Sequence, residues 1–293
     1  MSTRTQAKEG KVPFKVPSID GECFTSYKIF GDLSSGKPPV IVLHGGPGAG
    51  HEYLLTFSAL WEKHGLPVVF YDQIGCASST HLPQKAGDKS FWQEQLFQDE
   101  LDNLLDQLRL RDGPGFHILG HSWGGMLGAA FAARQPQGLQ RVVLASALAS
   151  RELSTKGIRL LREQMPADMK QALDQAEEKS EYDSPEYNRA LDFFSRKHLC
   201  RSEPFPSPEL LPAFSHLKDD PTVYRTMKGP SPLTDDGSLE KWTVVDRLAN
   251  ITAKTLVYNG EYDTSHDIAQ VPFFELIPAF AGSPSQMLAT CAT

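Results

Sequence analysis

Short apolar runs alternate with helical patterns over much of the chain. The runs at residues 40–43, 68–71 and 116–119 are rich in Val, Ile, Leu and Phe, which predicts buried strands, and the runs at 141–145 and 254–258 predict two further strands. Between them, residues 51–63 and 91–108 have helical patterns, and one predicted helical face carries Phe97, Leu101, Leu104, Leu105 and Leu108. Residues 13–31 alternate polar and apolar positions, which predicts an opening antiparallel hairpin. Strands alternating with helices indicate an α/β fold with a mostly parallel sheet covered on both faces.

The alternation stops between residues 148 and 245. This stretch is helical and charged, is broken by several prolines, and has no run that resembles the strands around it. We therefore predict a helical cap at residues 148–245, inserted into a core formed by residues 1–147 and 246–293. A cap in this position would lie over the carboxyl ends of the strands, where α/β proteins form their sites.

The sequence Gly-His-Ser-Trp-Gly-Gly at residues 120–125 follows the apolar run at 116–119 and precedes a stretch of small residues at 126–133. A strand, a glycine-flanked serine and a helix in this order predict the nucleophile elbow of an α/β-hydrolase. The glycines permit a turn too tight for a side chain, and the turn exposes the serine hydroxyl at the edge of the sheet. Ser122 is therefore the candidate nucleophile.

Two further motifs supply partners for this serine. His44, Gly45, Gly46, Pro47 and Gly48 follow the first buried run, and we expect them to form an oxyanion loop supported by His44. The backbone N–H groups of Gly46 and Trp123 are the expected oxyanion donors. Asp263 closes the turn after the last apolar run and is the candidate acid, with Glu261 as the alternative. An acid that follows the serine in the chain agrees with the residue order of this fold.

Composition narrows the classes of molecule to which the protein could bind. The net charge of the 293 residues is −7 and there is no basic cluster, which argues against nucleic acid. The longest apolar runs are too short for a membrane span, and the N-terminus lacks a signal-peptide pattern. The four cysteines are scattered without metal or redox spacing, so we expect no metal, no cofactor and a cytoplasmic location.

These motifs resemble those of the proline iminopeptidases, serine peptidases with the α/β-hydrolase fold. The resemblance rests on the segments 44–48, 72–76 and 120–125, and it extends from about residue 20 to residue 278. Segments 198–201 and 224–230 of the cap are similar to those of related broad-specificity aminopeptidases and amino-acid amidases. The resemblance implies release of an N-terminal residue, such as proline, from a small peptide or amide substrate through an acyl-enzyme and without a metal.

The chain departs from this family where the free amino group of the substrate should bind. The relatives have carboxylates in the cap and directly after the triad acid, whereas this chain has Pro232 and Thr264. Asp235, Asp236 or Asp267 could substitute, although each is more typical of a solvated loop charge. An esterase or lactonase on the same fold is therefore the alternative enzymatic function.

The second departure concerns the general base. In the family a triad histidine follows one more strand after the acid, but no histidine follows His266 in this chain. His266 lies three residues after Asp263 and is the candidate base, while His121 is expected to point away from the serine. Residues 279–293 have the pattern of a truncated end from which the last strand and helix are missing. A catalytically inactive form is therefore the non-enzymatic alternative.

Overall fold

The computed structural model describes residues 7–16, 18–234 and 236–278. A seven-stranded sheet forms the centre of this part of the chain. Its strands are β1 (Lys8–Phe14), β2 (Cys23–Phe30), β3 (Val40–Leu43), β4 (Val68–Asp72), β5 (Phe116–His121), β6 (Leu139–Ala145) and β7 (Lys254–Tyr258). Their order is β1-β2-β4-β3-β5-β6-β7, and only the β1–β2 and β2–β4 pairs are antiparallel. The expected mostly parallel α/β fold is confirmed.

The helices flank this sheet or follow one another between its strands. They are α1 (Ala59–His64), α2 (Glu94–Gln107), α3 (Trp123–Ala132), α4 (Arg151–Arg162), α5 (Ala167–Lys179), α6 (Pro185–His198), α7 (Leu211–Asp219), α8 (Thr222–Met227) and α9 (Asp267–Leu276). Helix α2 begins later than the pattern at 91–108 predicts, because Asp88 accepts a hydrogen bond from the backbone N of Phe91 and holds that residue in a turn. A 3-10 helix, Glu52–Ser58, precedes the short α1.

Apolar residues of the sheet and of the helices that cover it form the core. All four residues of β3 and all five residues of β4 are buried. Four of the five apolar residues predicted on one face of α2 are fully buried, and Leu101, Leu104 and Leu105 belong to the same cluster as Ile41 and Ile118 of the sheet. Because both faces of the central strands are covered, these strands have continuous apolar runs in the sequence.

Helices α4 to α8 all lie between β6 and β7 in the chain. They have an apolar cluster of their own, which includes Ile158, Leu173 and Phe194. The division of the chain into a core and a cap at residues 148–245 stays a prediction. The predicted truncated end falls on residues 279–293, outside the described residues. No helix in the described ranges is both long enough and apolar enough to cross a membrane.

Candidate active site

Ser122 lies in a strained turn between β5 and α3. Its φ is 54° and its ψ is −118°, a conformation that non-glycine residues rarely adopt. The turn also needs glycine beside it, because a Cβ on Gly124 would lie 2.1 Å from the carbonyl oxygen of Leu43 in β3. The backbone N of Ser122 donates a hydrogen bond to the carbonyl of Ala145 at 2.9 Å, which fixes the turn against the end of β6. The local structure is therefore the one expected for a nucleophile elbow.

The loop at residues 44–48 lies directly beside this turn. Gly46 has a φ of +110°, and a Cβ there would lie 2.7 Å from the backbone N of Gly48. A Cβ on Gly45 would lie 3.2 Å from the Cβ of Ser122, so the loop and the serine are neighbours. Gly45, Gly46, Ser122 and Trp123 line one cavity, and Pro47 and Gly48 are buried behind it. The structure thus brings the expected nucleophile and both expected oxyanion donors together.

His44 supports the loop from within the core. Its Nε2 accepts a hydrogen bond from the backbone N of Gln73 at 3.0 Å, so the proton lies on Nδ1, which donates to the carbonyl of Gly45 at 2.9 Å. The ring is fully buried, and burial lowers the pKa of His44. A neutral ring in one tautomer is therefore part of the loop structure.

The cavity above Ser122 has a volume of about 380 Å³. Most of its wall is apolar, and α4, α6 and α7 contribute Ile158, Leu191, Phe194 and Phe214 to it. Arg151, Tyr224 and Lys228 form a polar part of the wall. Burial lowers the pKa of Arg151 to about 10 and raises the pKa of Tyr224 to about 12.

The positions expected to bind a substrate amine are at this cavity. Pro232 and Thr264 both line it, and neither can pair with an ammonium group. No carboxylate lines the cavity in the part of the chain that the structure describes, and Asp235 lies outside that part. Asp236 and Asp267 are exposed, and Asp267 accepts a hydrogen bond from the Asn259 amide at 3.0 Å.

Asp263 lies in the loop after β7. Its Oδ1 accepts a hydrogen bond from the backbone N of Ser265 at 2.8 Å, and Oδ2 accepts a longer one from Gly260 at 3.4 Å. Asp263 lines a second cavity of about 430 Å³, together with the exposed Glu261. Tyr53 and His121 line both cavities, so these two side chains lie between the serine and the acid.

The structure does not bring His266 to the serine. The ring caps α9, with Nδ1 accepting a hydrogen bond from the backbone N of Ile268 at 3.2 Å. Its Cβ faces Gly157 of α4, and the ring lines neither described cavity. Within the described residues no hydrogen bond joins His266 to Asp263, because the cap directs the ring toward α9.

His121 precedes Ser122 in the chain and lines the same cavity, and among the described contacts its ring bonds to Tyr53 rather than to the serine. Its Nδ1 is hydrogen-bonded to the hydroxyl of Tyr53 at 2.8 Å, and that hydroxyl accepts a bond from the backbone N of Gly45. Burial lowers the pKa of His121, and the negative charge of Asp263 acts in the opposite direction. Sequence reasoning missed Tyr53, because a tyrosine within a helical pattern carries no signal for a site.

One group of side chains in the described residues has the types that bind metal ions. His51, Glu52 and Asp72 offer ligand atoms within 4.8 Å of one another. However, the backbone N and the Nδ1 of His51 both bond to Oδ1 of Asp72, at 3.0 and 2.7 Å. This pair joins the segment that follows the oxyanion loop to the end of β4, so we assign it a structural role.

Comparisons with known proteins identify the family of the chain. Residues 38–279 match the family model of the α/β hydrolase fold. A proline iminopeptidase of Thermoplasma volcanium is 32% identical over 236 residues, which are 80% of this chain and 77% of that protein. The solved structure of VinJ has a TM-score of 0.86 and 42% identity, covering 94% of this chain and 88% of that one. The structure of a Mycobacterium smegmatis proline iminopeptidase has a TM-score of 0.83 and 36% identity, covering 94% and 89%. The chain therefore belongs to the proline iminopeptidase family, enzymes with the α/β-hydrolase fold.

Proposed function

We propose that the protein is a serine aminopeptidase that releases an N-terminal residue from a small peptide or amide through an acyl-enzyme. Ser122 is the nucleophile, and the backbone N–H groups of Gly46 and Trp123 stabilise the oxyanion of the tetrahedral intermediate. Asp263 orients and stabilises the base once it is protonated. The observation that carries the proposal is the strained Ser122 at the floor of a 380 Å³ cavity that it shares with both donors.

A serine hydroxyl is a weak nucleophile at neutral pH and needs a base to take its proton. The sequence suggested His266, but the contacts of the described histidines favour His121 for this role. In support, His121 shares the cavity with Ser122, is hydrogen-bonded to Tyr53 and lies within the electrostatic influence of Asp263. The lowered pKa of His121 keeps its ring neutral at pH 7, which is the form able to accept a proton.

The helices between β6 and β7 act as a cap over the site in this proposal. Support comes from the side chains of α4, α6 and α7 that line the cavity above Ser122. The apolar wall favours substrates with an apolar group beside the scissile bond. We also propose a cytoplasmic location, because Cys23, Cys76 and Cys200 are free thiols.

Arylamides test this function directly. The protein should hydrolyse prolyl or alanyl arylamides with a free amino group faster than their N-acetylated forms. Ser122→Ala should abolish both turnover and labelling by a fluorophosphonate probe, since both reactions use the serine hydroxyl. A rate that is unchanged in Ser122→Ala would contradict the assignment of the nucleophile.

Hydrolysis of esters or blocked amides is the second candidate. It is favoured by Pro232 and Thr264, which stand at the cavity where an aminopeptidase of this family is expected to have carboxylates. Equal turnover of free and N-acetylated arylamides, or turnover of simple esters alone, would replace the aminopeptidase proposal by an esterase or lactonase. Absence of Ser122-dependent labelling would reject both candidates.

A further inference from the structure

Gln73 connects the two parts of the proposed oxyanion site. It follows β4 directly, and its side chain is 1% exposed. The amide Nε2 donates a hydrogen bond to the carbonyl of His44 at 3.1 Å, and Oε1 accepts one from the indole Nε1 of Trp123 at 2.8 Å. An indole N–H can only donate and a carbonyl can only accept, so these partners fix the orientation of the amide. A single side chain therefore joins the loop that contains Gly46 to the residue that begins α3.

The backbone of Gln73 strengthens this connection. Its N–H donates to Nε2 of His44 at 3.0 Å, while the ring of His44 donates to the carbonyl of Gly45 at 2.9 Å. His44 thus accepts two hydrogen bonds from Gln73, one from its backbone N–H and one from its side-chain amide. Trp123 is also held at its ring edge by Phe97, with centroids 5.4 Å apart. All of these groups are buried, so water does not replace a lost bond easily.

We propose that Gln73 is a positioning residue that holds the backbone N–H groups of Gly46 and Trp123 at the separation an oxyanion requires; this inference rests on the function proposed above. Oxyanion donors act over about 2.7–3.1 Å, so a small displacement of either one weakens the stabilisation. Gly46 lies two residues from the carbonyl that Gln73 holds, in a left-handed conformation. Trp123 is held through its own side chain. Gln73 itself does not contact the substrate in this arrangement.

Gln73→Met tests this role, because methionine has a similar length but makes neither hydrogen bond. Gln98→Met is the matched control, since Gln98 is also a buried glutamine (2% exposed) but bonds to Glu94 of α2 and to Arg134, which follows α3. We expect kcat for an arylamide to fall about 10- to 100-fold in Gln73→Met with KM changed less than about threefold, because loss of an oxyanion donor costs about 100-fold or more. Gln98→Met should change neither.

Hydrogen exchange gives a second measurement that does not depend on turnover. Backbone amides of residues 44–49 and 122–125 should exchange faster in Gln73→Met and at the unaltered rate in Gln98→Met. Unchanged exchange in these segments, or equal losses of kcat in both variants, would overturn the proposal. If Gln73→Met does not fold, Gln73→Asn keeps the amide but shortens its reach and carries the same expectations. A protein without Ser122-dependent turnover would reject the proposed function, while the exchange rates would still decide the role of Gln73.

Discussion

At the scale of single residues, His266 has a structural role, whereas we propose a catalytic role for His121. His266 stands close to Asp263 in the sequence, yet its ring is used to cap α9. His121 stands next to Ser122, and its ring lies between the cavity of the serine and the cavity of the acid. A neutral imidazole has one nitrogen that can accept a proton, and in His266 that nitrogen already accepts the hydrogen bond from Ile268.

Labelling rates distinguish these roles. Fluorophosphonate labelling of Ser122 should slow by orders of magnitude in His121→Ala, because loss of a catalytic histidine in a serine hydrolase costs about 10⁶ in rate. His266→Ala should leave the labelling rate within about threefold and should lower the free energy of unfolding by about 0.5–2 kcal/mol, the usual cost of a lost N-cap.

Tyr53→Phe extends the test. We expect slower labelling in this variant, because the Tyr53 hydroxyl bonds to the ring of His121 and its loss would leave that ring less well placed. If His266→Ala were the slow variant and His121→Ala were unaffected, the assignment of the base to His121 would be wrong.

At the scale of elements, buried polar contacts tie neighbouring segments together. Glu100 of α2 is fully buried and bonds to two other segments. Its Oε1 accepts a hydrogen bond from the hydroxyl of Thr25 in β2 at 2.5 Å, and its Oε2 accepts one from the backbone N of Ile74 at 2.9 Å. Burial raises the pKa of Glu100 to about 8. The carboxyl is therefore protonated in the folded protein at neutral pH.

This pKa predicts a pH-dependent stability. The unfolded chain releases the Glu100 proton near pH 4.5 and the folded chain near pH 8, so the contribution of this group falls as the pH rises between these values. Glu100→Gln removes the titration. The amide oxygen can still accept from the backbone N of Ile74, and the amide NH2 can donate to the Thr25 hydroxyl, which then accepts in place of donating. As the pH rises from 5 to 8, the free energy of unfolding of the variant should therefore increase relative to that of the unaltered protein, by up to a few kcal/mol. Thermal melts at each pH measure this difference.

Glu22→Gln is the control, because it makes the same substitution at an exposed glutamate, directly before β2. Its melting temperature should follow that of the unaltered protein at every pH. Parallel curves for Glu100→Gln and the unaltered protein would show that Glu100 does not titrate differently in the folded state.

At the scale of the whole molecule, the site exists only where distant parts of the chain meet. The floor of the cavity comes from the ends of β3 and β5, and the apolar wall comes from helices that follow β6. Phe214 of α7 is 37% exposed and lines this wall. Because Phe214 lines the cavity and has no polar group, we predict a role in substrate binding and none in the reaction.

Phe214→Ser should raise KM for a naphthylamide substrate by a few-fold to about tenfold, with kcat changed less than about threefold. Full burial of a phenylalanine side chain contributes about 1.5–3 kcal/mol, and part of that is available for a half-exposed ring. Leu160→Ser is the control, because Leu160 is 49% exposed and does not line the cavity. A fall in kcat at constant KM would mean that α7 takes part in placing the reacting groups.

The amino-acid sequence determined the sheet and the elbow. Continuous apolar runs were enough to locate β3 and β4, because strands buried on both faces tolerate few polar residues. The strand β7 alternates exposed and buried positions, with Thr255 and Val257 buried, so its short run located a strand that is covered on one face. The glycines around Ser122 marked the elbow because its close contacts exclude side chains, as at Gly124 beside β3. Such signals are local, and each reports a steric condition at its own position.

Only the tertiary structure decided which side chains meet at the serine. The sequence spacing favoured His266, but the cap of α9 directs its ring elsewhere. Tyr53 and Gln73 come from the segments after β3 and β4, and each is placed by contacts with residues far along the chain. Part of the apolar wall of the cavity likewise comes from helices whose sequence patterns predict an apolar face but do not predict which segment that face packs against. Long-range contacts depend on how all the elements pack, so no single stretch of sequence contains the signal for them.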